Sequence, residues 1–185
     1  MRADISDERL LEKLKEGEQV EQAFGILVDR YAPRLYAVIR RILYRHEDAD
    51  DVLQNTFIKI WQNIHTFRGH SKLSTWMYTI ATNEALSHLR RERPDRKLPI
   101  TTEEYDLTQL LQSDPYFDGD AAEAAFLAAV EELPEKQKLT FQLRYFEDLS
   151  YREISEITGT SEGALKANYH HATKKIKAAL GVDQY

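Results

Sequence analysis

The stretch Ser150-Tyr151-Arg152-Glu153-Ile154-Ser155-Glu156-Ile157-Thr158-Gly159-Thr160-Ser161-Glu162-Gly163-Ala164-Leu165-Lys166 decides how this chain is read. Ser150 and Glu153 have the Ser-x-x-Glu spacing of a capping box, in which hydroxyl and carboxylate each satisfy the other residue's backbone N–H. A short helix is therefore predicted from Tyr151 to about Thr158. Gly159 turns the chain, since glycine reaches positive φ without a steric penalty. Ser161 then caps a longer helix to about Leu180, with Leu165, Ala172, Ile176 and Leu180 inward. Two helices joined by a short glycine turn form the helix-turn-helix layout, whose second helix enters the DNA major groove by its N-terminal part. Ser161, Glu162, Lys166, Asn168, Tyr169, His170 and Lys174 lie on the side away from Leu165 and Ala172, where they could face a groove. Helical hairpins with a glycine turn also serve as plain packing units, and periodicity alone leaves both readings open.

Working outward, an alanine-rich helix is predicted from Ala121 to Glu132. Leu133-Pro134-Glu135 restarts the chain into a helix ending at Phe146 or Glu147 that carries Leu139, Leu143 and Phe146. The N-terminal half reads as helices too. Residues 7 to 17 place Leu10, Leu11 and Leu14 on one side and end at Gly17. Val20 to Tyr31 repeats Phe24, Leu27 and Val28, and Pro33 suits the first turn of a third helix, Arg34 to Tyr44. After an acidic corner at Glu47, Asp48, Asp50 and Asp51, Val52 to Ile64 has apolar residues at 53, 57, 60, 61 and 64. Its opposite face carries Gln54, Asn55, Lys59 and Gln62. A loop, Phe67 to Lys72, precedes a helix from Leu73 to about Arg91 with Leu73, Trp76, Met77, Ile80 and Ala81 on its buried side.

With 185 residues the chain has room for one ordinary domain or two small ones, and 7 Gly and 5 Pro favour helix. The expected fold is all-α: two small helical domains, residues 1–97 and 121–185, the second with the helix-turn-helix, joined by an acidic linker at 98–120. About 22 flexible residues would span roughly 25 Å root-mean-square, so the domains could contact distant points of one long partner. The net charge of -6 is unevenly distributed. Residues 30 to 97 hold 13 basic and 7 acidic side chains, whereas residues 98 to 135 hold 10 acids and no Lys or Arg. Residues 136 to 180 return to 8 basic and 5 acidic. A polyanion would touch the two basic blocks and be repelled from the middle, although charged proteins commonly have uneven runs.

A second constellation is aromatic and basic: Phe67, Arg68, His70, Lys72, Trp76, Tyr78 and Asn83, followed by a cluster from Arg90 to Lys97. Rings that stack on unpaired bases beside cations that meet phosphates are what single-strand recognition requires. Trp76 and Asn83, seven residues apart, share a helix face; spacing alone is also compatible with Trp76 as a core residue. Enzymatic readings lack a site. The chain has no cysteine, no Walker A loop, no Gly-x-Gly-x-x-Gly and no Gly-x-Ser-x-Gly, and its six histidines include no pair at helical spacing followed by an acid. No catalytic residue, metal or cofactor is expected, and no small-molecule substrate. Met1 to Lys15 alternates charges with single apolar residues, unlike a signal peptide, and no stretch approaches a membrane span. The expected location is the cytoplasm, without membrane insertion.

Three ordered motifs resemble the extracytoplasmic-function (ECF) group of the sigma-70 family of bacterial sigma factors. Asp51-Val52-Leu53-Gln54-Asn55-Thr56-Phe57 is similar to the family's Asp-Val-x-Gln-x-x-Phe segment, whose helix docks on the clamp coiled coil of the polymerase large subunit. Phe67-Arg68-Gly69 through Thr75-Trp76-Met77-Tyr78-Thr79-Ile80-Ala81-Thr82-Asn83 resembles its promoter-melting segment. Leu133-Pro134-Glu135 and Leu149-Ser150-Tyr151-Arg152-Glu153-Ile154 resemble the start and the helix-turn-helix of its second conserved domain.

The resemblance implies a factor that binds bacterial core RNA polymerase and promoter DNA, commonly restrained by an anti-sigma factor and released by a stress signal. It implies polymerase docking by Asp51, Gln54, Asn55, Phe57 and Lys59. Contact with the −10 element would fall to Arg68, His70, Ser71, Lys72, Trp76, Tyr78, Asn83, Arg90 and Arg91, the loop and Asn83 holding a flipped base. Contact with the −35 element would fall to Ser161, Glu162, Lys166, Asn168, Tyr169, His170, His171 and Lys174. The family often places Ser-Arg and a further Arg in the recognition helix; here the run is Ala167-Asn168-Tyr169-His170-His171. Fewer guanidinium groups mean weaker phosphate attraction and less bidentate reading of guanine. The alternative is a stand-alone helix-turn-helix repressor or activator, which would footprint duplex DNA without polymerase.

Overall fold

The computed structural model of the chain describes residues 5–17, 19–43, 45–92 and 121–181. Among them are eight α-helices and no strand. They fall into two units, the first carrying the helices through Glu92 and the second those from Ala121 onward, Glu156–Thr158 apart. The expected linker at 98–120 lies outside the described residues, as does the end of the basic cluster after Glu92.

In the first unit α1 spans Asp7–Glu16, α2 Val20–Ile42, α3 His46–Asn63 and α4 Leu73–Glu92, with a 3-10 turn at Ile64–Thr66 between the last two. Ser6 caps α1 by accepting from the Arg9 N–H at 3.3 Å, and Gly17 closes it at φ 80°. Helices α2, α3 and α4 pack pairwise around one core, while α1 lies on α2 and on the 3-10 turn. Leu10, Leu27, Leu35, Ile39, Ile60 and Met77 are fully buried there. A polar clasp adds to the α1–α2 contact: Arg30 Nη1 donates to the Asp7 carboxylate at 2.6 Å, Arg30 Nη2 to the Ile5 carbonyl at 2.5 Å, and the Tyr31 hydroxyl to the other Asp7 oxygen. Burial, then the bond to Asp7, pushes the Tyr31 phenol well above its ordinary pKa.

Two elements differ from the sequence reading. The predicted break at Pro33 is absent: Val20–Ile42 is one helix with Pro33 in its interior. An interior proline removes an i→i−4 bond and costs about 3 kcal/mol. Here Leu27, Tyr31, Leu35, Val38, Ile39 and Ile42 form one buried stripe that runs in phase past it, and packing on both sides outweighs the loss. The acidic corner is likewise helical, because Glu47 and Asp48 occupy the first turn of α3, where carboxylates complement the helix dipole.

The second unit holds α5 Ala121–Glu131, α6 Glu135–Tyr145, α7 Tyr151–Thr158 and α8 Glu162–Ala179. Ala129, Val130, Leu133, Phe141, Ala172 and Ile176 form its core, with Phe126, Phe146 and Tyr169 packed against them. The predicted caps are present. Ser150 Oγ accepts from the Glu153 N–H at 3.2 Å and Glu153 Oε2 accepts from the Ser150 N–H at 2.9 Å. Gly159 sits at φ 67°, and Ser161 Oγ accepts from the Ala164 N–H at 3.4 Å. Leu180, expected inward, is instead 37% exposed, since α8 ends at Ala179 beyond the core formed by Ala172 and Ile176.

Candidate nucleic-acid and polymerase interface

The residues Arg68 to Lys72 form an exposed span between two buried anchors, Phe67 and Leu73. Phe67 donates its N–H to the Ile64 carbonyl at 3.2 Å, closing the 3-10 turn, and its ring lies 5.3 Å from that of Trp76. Gly69 takes φ 74°, where a side chain would be strained. At the far end the Lys72 carbonyl accepts from the Trp76 N–H at 3.1 Å, starting α4. Arg68, His70 and Lys72 are exposed and Ser71 is half-buried. Along α4, Asn83 is exposed, as are Arg90 and Arg91 in the last turn, whereas Trp76 is half-buried against Phe67. One unit thus presents exposed cations, a polar amide and a half-buried indole on a short loop and the helix that follows it, residue types suited to an unpaired nucleic-acid strand.

Tyr78 does not belong to this surface. It is 5% exposed, because α4 packs on both α2 and α3 and its buried face widens to include Thr75, Tyr78 and Thr82. A base cannot stack on it.

On α3, Asp51, Gln54, Asn55 and Lys59 are exposed, Lys59 also pairing with Glu84 of α4 at 2.5 Å. Phe57 is only 9% exposed and lies edge-on to Phe24, so it holds this face from beneath. Two apolar residues on this helix reach the surface, neither of them among the expected polymerase contacts: Ile58 is 47% and Trp61 43% exposed, the Trp61 ring resting edge-on against Phe24 at 4.8 Å. Position 58 lies four residues after Gln54 and so falls on the face identified by its polar residues, a signal that was available. Trp61 was expected inward; Val52, Thr56 and Ile60 fill the core instead, with the Thr56 hydroxyl satisfied by the Val52 carbonyl at 2.7 Å.

In the second unit Glu162, Lys166, His170 and Lys174 form an exposed row at intervals of four along α8, with Ser161 and His171 also exposed. Lys166 Nζ lies 5.8 Å from the centre of the Tyr151 ring, over which Arg144 also sits at 5.6 Å, so α7 and α8 share a cation–π contact. Asn168 and Tyr169 are half-buried. The Tyr169 ring stacks on Phe141, and burial followed by the neighbouring Tyr151 raises its phenol pKa. Tyr169 therefore packs more than it offers to a groove. Among the described residues no helix is long and apolar enough to cross a membrane.

The architecture is that of a two-unit helical DNA-binding protein whose second unit carries a helix-turn-helix. Residues 27–94 match the sigma-70 region 2 family and residues 123–176 match sigma-70 region 4. The chain is 32% identical to the ECF RNA polymerase sigma-E factor of Haemophilus influenzae, covering 96% of each protein. It is 30% identical to the ECF RNA polymerase sigma factor SigW of Bacillus subtilis, over 92% of this chain and 94% of that one. The fold is similar to that of the Bartonella quintana sigma factor RpoE, solved in complex with the anti-sigma factor NepR, at a TM-score of 0.68 and 23% identity over 87% of this chain and 98% of that one. The chain belongs to the ECF group of the sigma-70 family and is an RNA polymerase sigma factor directing promoter recognition and transcription initiation. The family is one of DNA-binding transcription regulators, not of catalysts.

Proposed function

We propose that the protein divides this task between its two units, and that the order of the two family matches along the chain, region 2 in the first unit and region 4 in the second, is the observation that carries this reading. Residues 1–97 bind core RNA polymerase and open the promoter. Residues 121–185 read the −35 element, and the acidic segment 98–120 connects the two without binding phosphate itself. Core polymerase holds the units at promoter spacing, so two weak DNA contacts act as one through effective concentration. No covalent step is catalysed.

Within the first unit, the α3 face of Asp51, Gln54, Asn55 and Lys59, with Ile58 and Trp61, is the polymerase contact, supported from below by Phe57. Two exposed apolar residues rimmed by polar ones are the pattern of a protein-binding patch. The Arg68–Lys72 loop, Trp76 and Asn83 take the non-template strand of the −10 element, and Arg90 and Arg91 meet its phosphates. In the second unit Ser161, Glu162, Lys166, Asn168, His170, His171 and Lys174 face the −35 duplex. The protein works in the cytoplasm, and an anti-sigma factor, the kind of partner found on the Bartonella quintana protein, restrains it until a stress signal arrives.

Ile58→Asp and Asn83→Ala separate the surfaces. Ile58→Asp should weaken binding to core polymerase at least tenfold, the cost of placing a charge in a buried interface being about 1.4 kcal/mol or more. Asn83→Ala should leave that binding intact while lowering open-complex formation. The reverse pattern would overturn the division.

A further inference from the structure

Lys15, in the last turn of α1, reaches across the first unit to a residue 52 positions away. Its ammonium donates to the Phe67 carbonyl at 2.6 Å and lies 5.9 Å from the centre of the Phe67 ring. That carbonyl is not an arbitrary one. Phe67 is the last anchored residue before the exposed loop, its ring buried and seated against Trp76 and its N–H tied to Ile64. Because the peptide unit is planar, fixing the Phe67 carbonyl also fixes the Arg68 N–H and the direction in which the chain enters the loop. The Lys72 carbonyl is held at the other end by the Trp76 N–H. Only the short span between these points is left to adjust, and its sharp turn at Gly69 makes its course sensitive to how it starts.

Helix α1 packs on the 3-10 turn that leads into Phe67, so the bond from Lys15 is the polar part of a contact whose apolar part is already in place. A lysine whose only task was to solvate the helix end would leave its ammonium in water, whereas this one is directed at the hinge of the loop. We propose that Lys15 is a positioning residue for the base-reading loop: it sets the course of Arg68 to Lys72 and so couples the first helix to selection of the −10 sequence. The proposal rests on the reading that this loop contacts the −10 strand.

The test uses holoenzyme reconstituted with the full chain and a promoter pool randomised across the −10 element, with core affinity and thermal unfolding measured on the same preparations. Lys15→Met keeps the apolar stem and removes the donor. It should reduce the preference among −10 sequences about threefold to tenfold, the equivalent of one net hydrogen bond, with core affinity nearly unchanged and the unfolding temperature lowered by no more than the few degrees that one such bond supplies. Lys15→Arg, which can still donate to the carbonyl, should restore most of the preference. His70→Ala serves as a reference within the loop. If His70→Ala alters the preference and Lys15→Met does not, the positioning role is wrong while the loop reading stands. If Lys15→Met lowers stability or core affinity and leaves the preference intact, Lys15 is structural only and the proposal is overturned. If neither substitution alters the preference, the loop reading itself has failed, and the proposal with it.

Discussion

The rings of Phe141 and Tyr169 lie 15° from parallel with their centroids 5.6 Å apart, joining α6 to the recognition helix through the aromatic core. Tyr169 also meets Tyr151 edge-on at 6.3 Å. Tyr169→Ala should therefore destabilise the second unit by about 2–4 kcal/mol, the range for truncating a packed aromatic. Tyr169→Phe should cost less than about 1 kcal/mol and leave promoter binding unchanged. Urea denaturation of the full chain, with hydrogen exchange followed on α8, checks both. A Tyr169→Phe variant that stays stable but loses −35 binding would show the hydroxyl to be a DNA contact.

The Tyr31 phenol is raised above its ordinary value of 10 by burial and by its bond to Asp7. The neutral form is the one the fold favours, so this stabilisation is fully present below about pH 10 and is lost as pH climbs from there toward the folded-state value. The loss from a single group has a slope of at most about 1.4 kcal/mol per pH unit. The stability advantage of the natural chain over Tyr31→Phe should shrink between pH 9 and pH 11. An advantage unchanged across that interval would mean that the phenol does not titrate differently in the folded protein.

Arg68 and Lys72 are exposed on the loop, outside α3. Arg68→Ala or Lys72→Ala should lower open-complex formation more than core binding. Each lost phosphate contact should reduce the slope of log affinity against log salt by about 0.7, the single-strand value. Titration of promoter DNA into holoenzyme at several salt concentrations measures the slope, while a parallel fall in core affinity would contradict the assignment.

The recognition helix offers Lys166, His170 and Lys174 in its exposed row but no arginine. Asn168→Arg adds a guanidinium near that row. Upstream contact should tighten, with a salt slope steeper by about 0.9 for each duplex phosphate gained. Titration of promoter DNA into holoenzyme at several salt concentrations reads this out. An unchanged affinity and slope would place position 168 outside the interface.

The caps of the second unit were legible because they rest on local chemistry: Ser150, Glu153, Gly159 and Ser161 act within four residues of their partners. The loop ends at Phe67 and Leu73 were equally legible from the break in helical periodicity. Pro33 was misleading, since its intrinsic cost is local while the stripe that overrides it depends on α3 and α4, far away in sequence. Tyr78 is buried because a helix packed on two neighbours buries more than one stripe, and periodicity indicates where a face is centred, not how wide it is. Trp61 is left outside because the buried stripe of α3 runs through Val52, Thr56 and Ile60, and a count of apolar residues passes over the threonine. The bond from Lys15 to Phe67 had no signal in the sequence, because a side chain meeting a backbone carbonyl leaves no pattern of residue types.

A sigma factor joins core RNA polymerase and gives it a promoter preference. Purified protein should be titrated into bacterial core enzyme, with complex formation and transcription from a random promoter pool measured in the same samples. Saturable binding is expected, with start sites preceded by two spaced sequence elements. Failure to bind core, with duplex DNA retained by the protein alone, would contradict it.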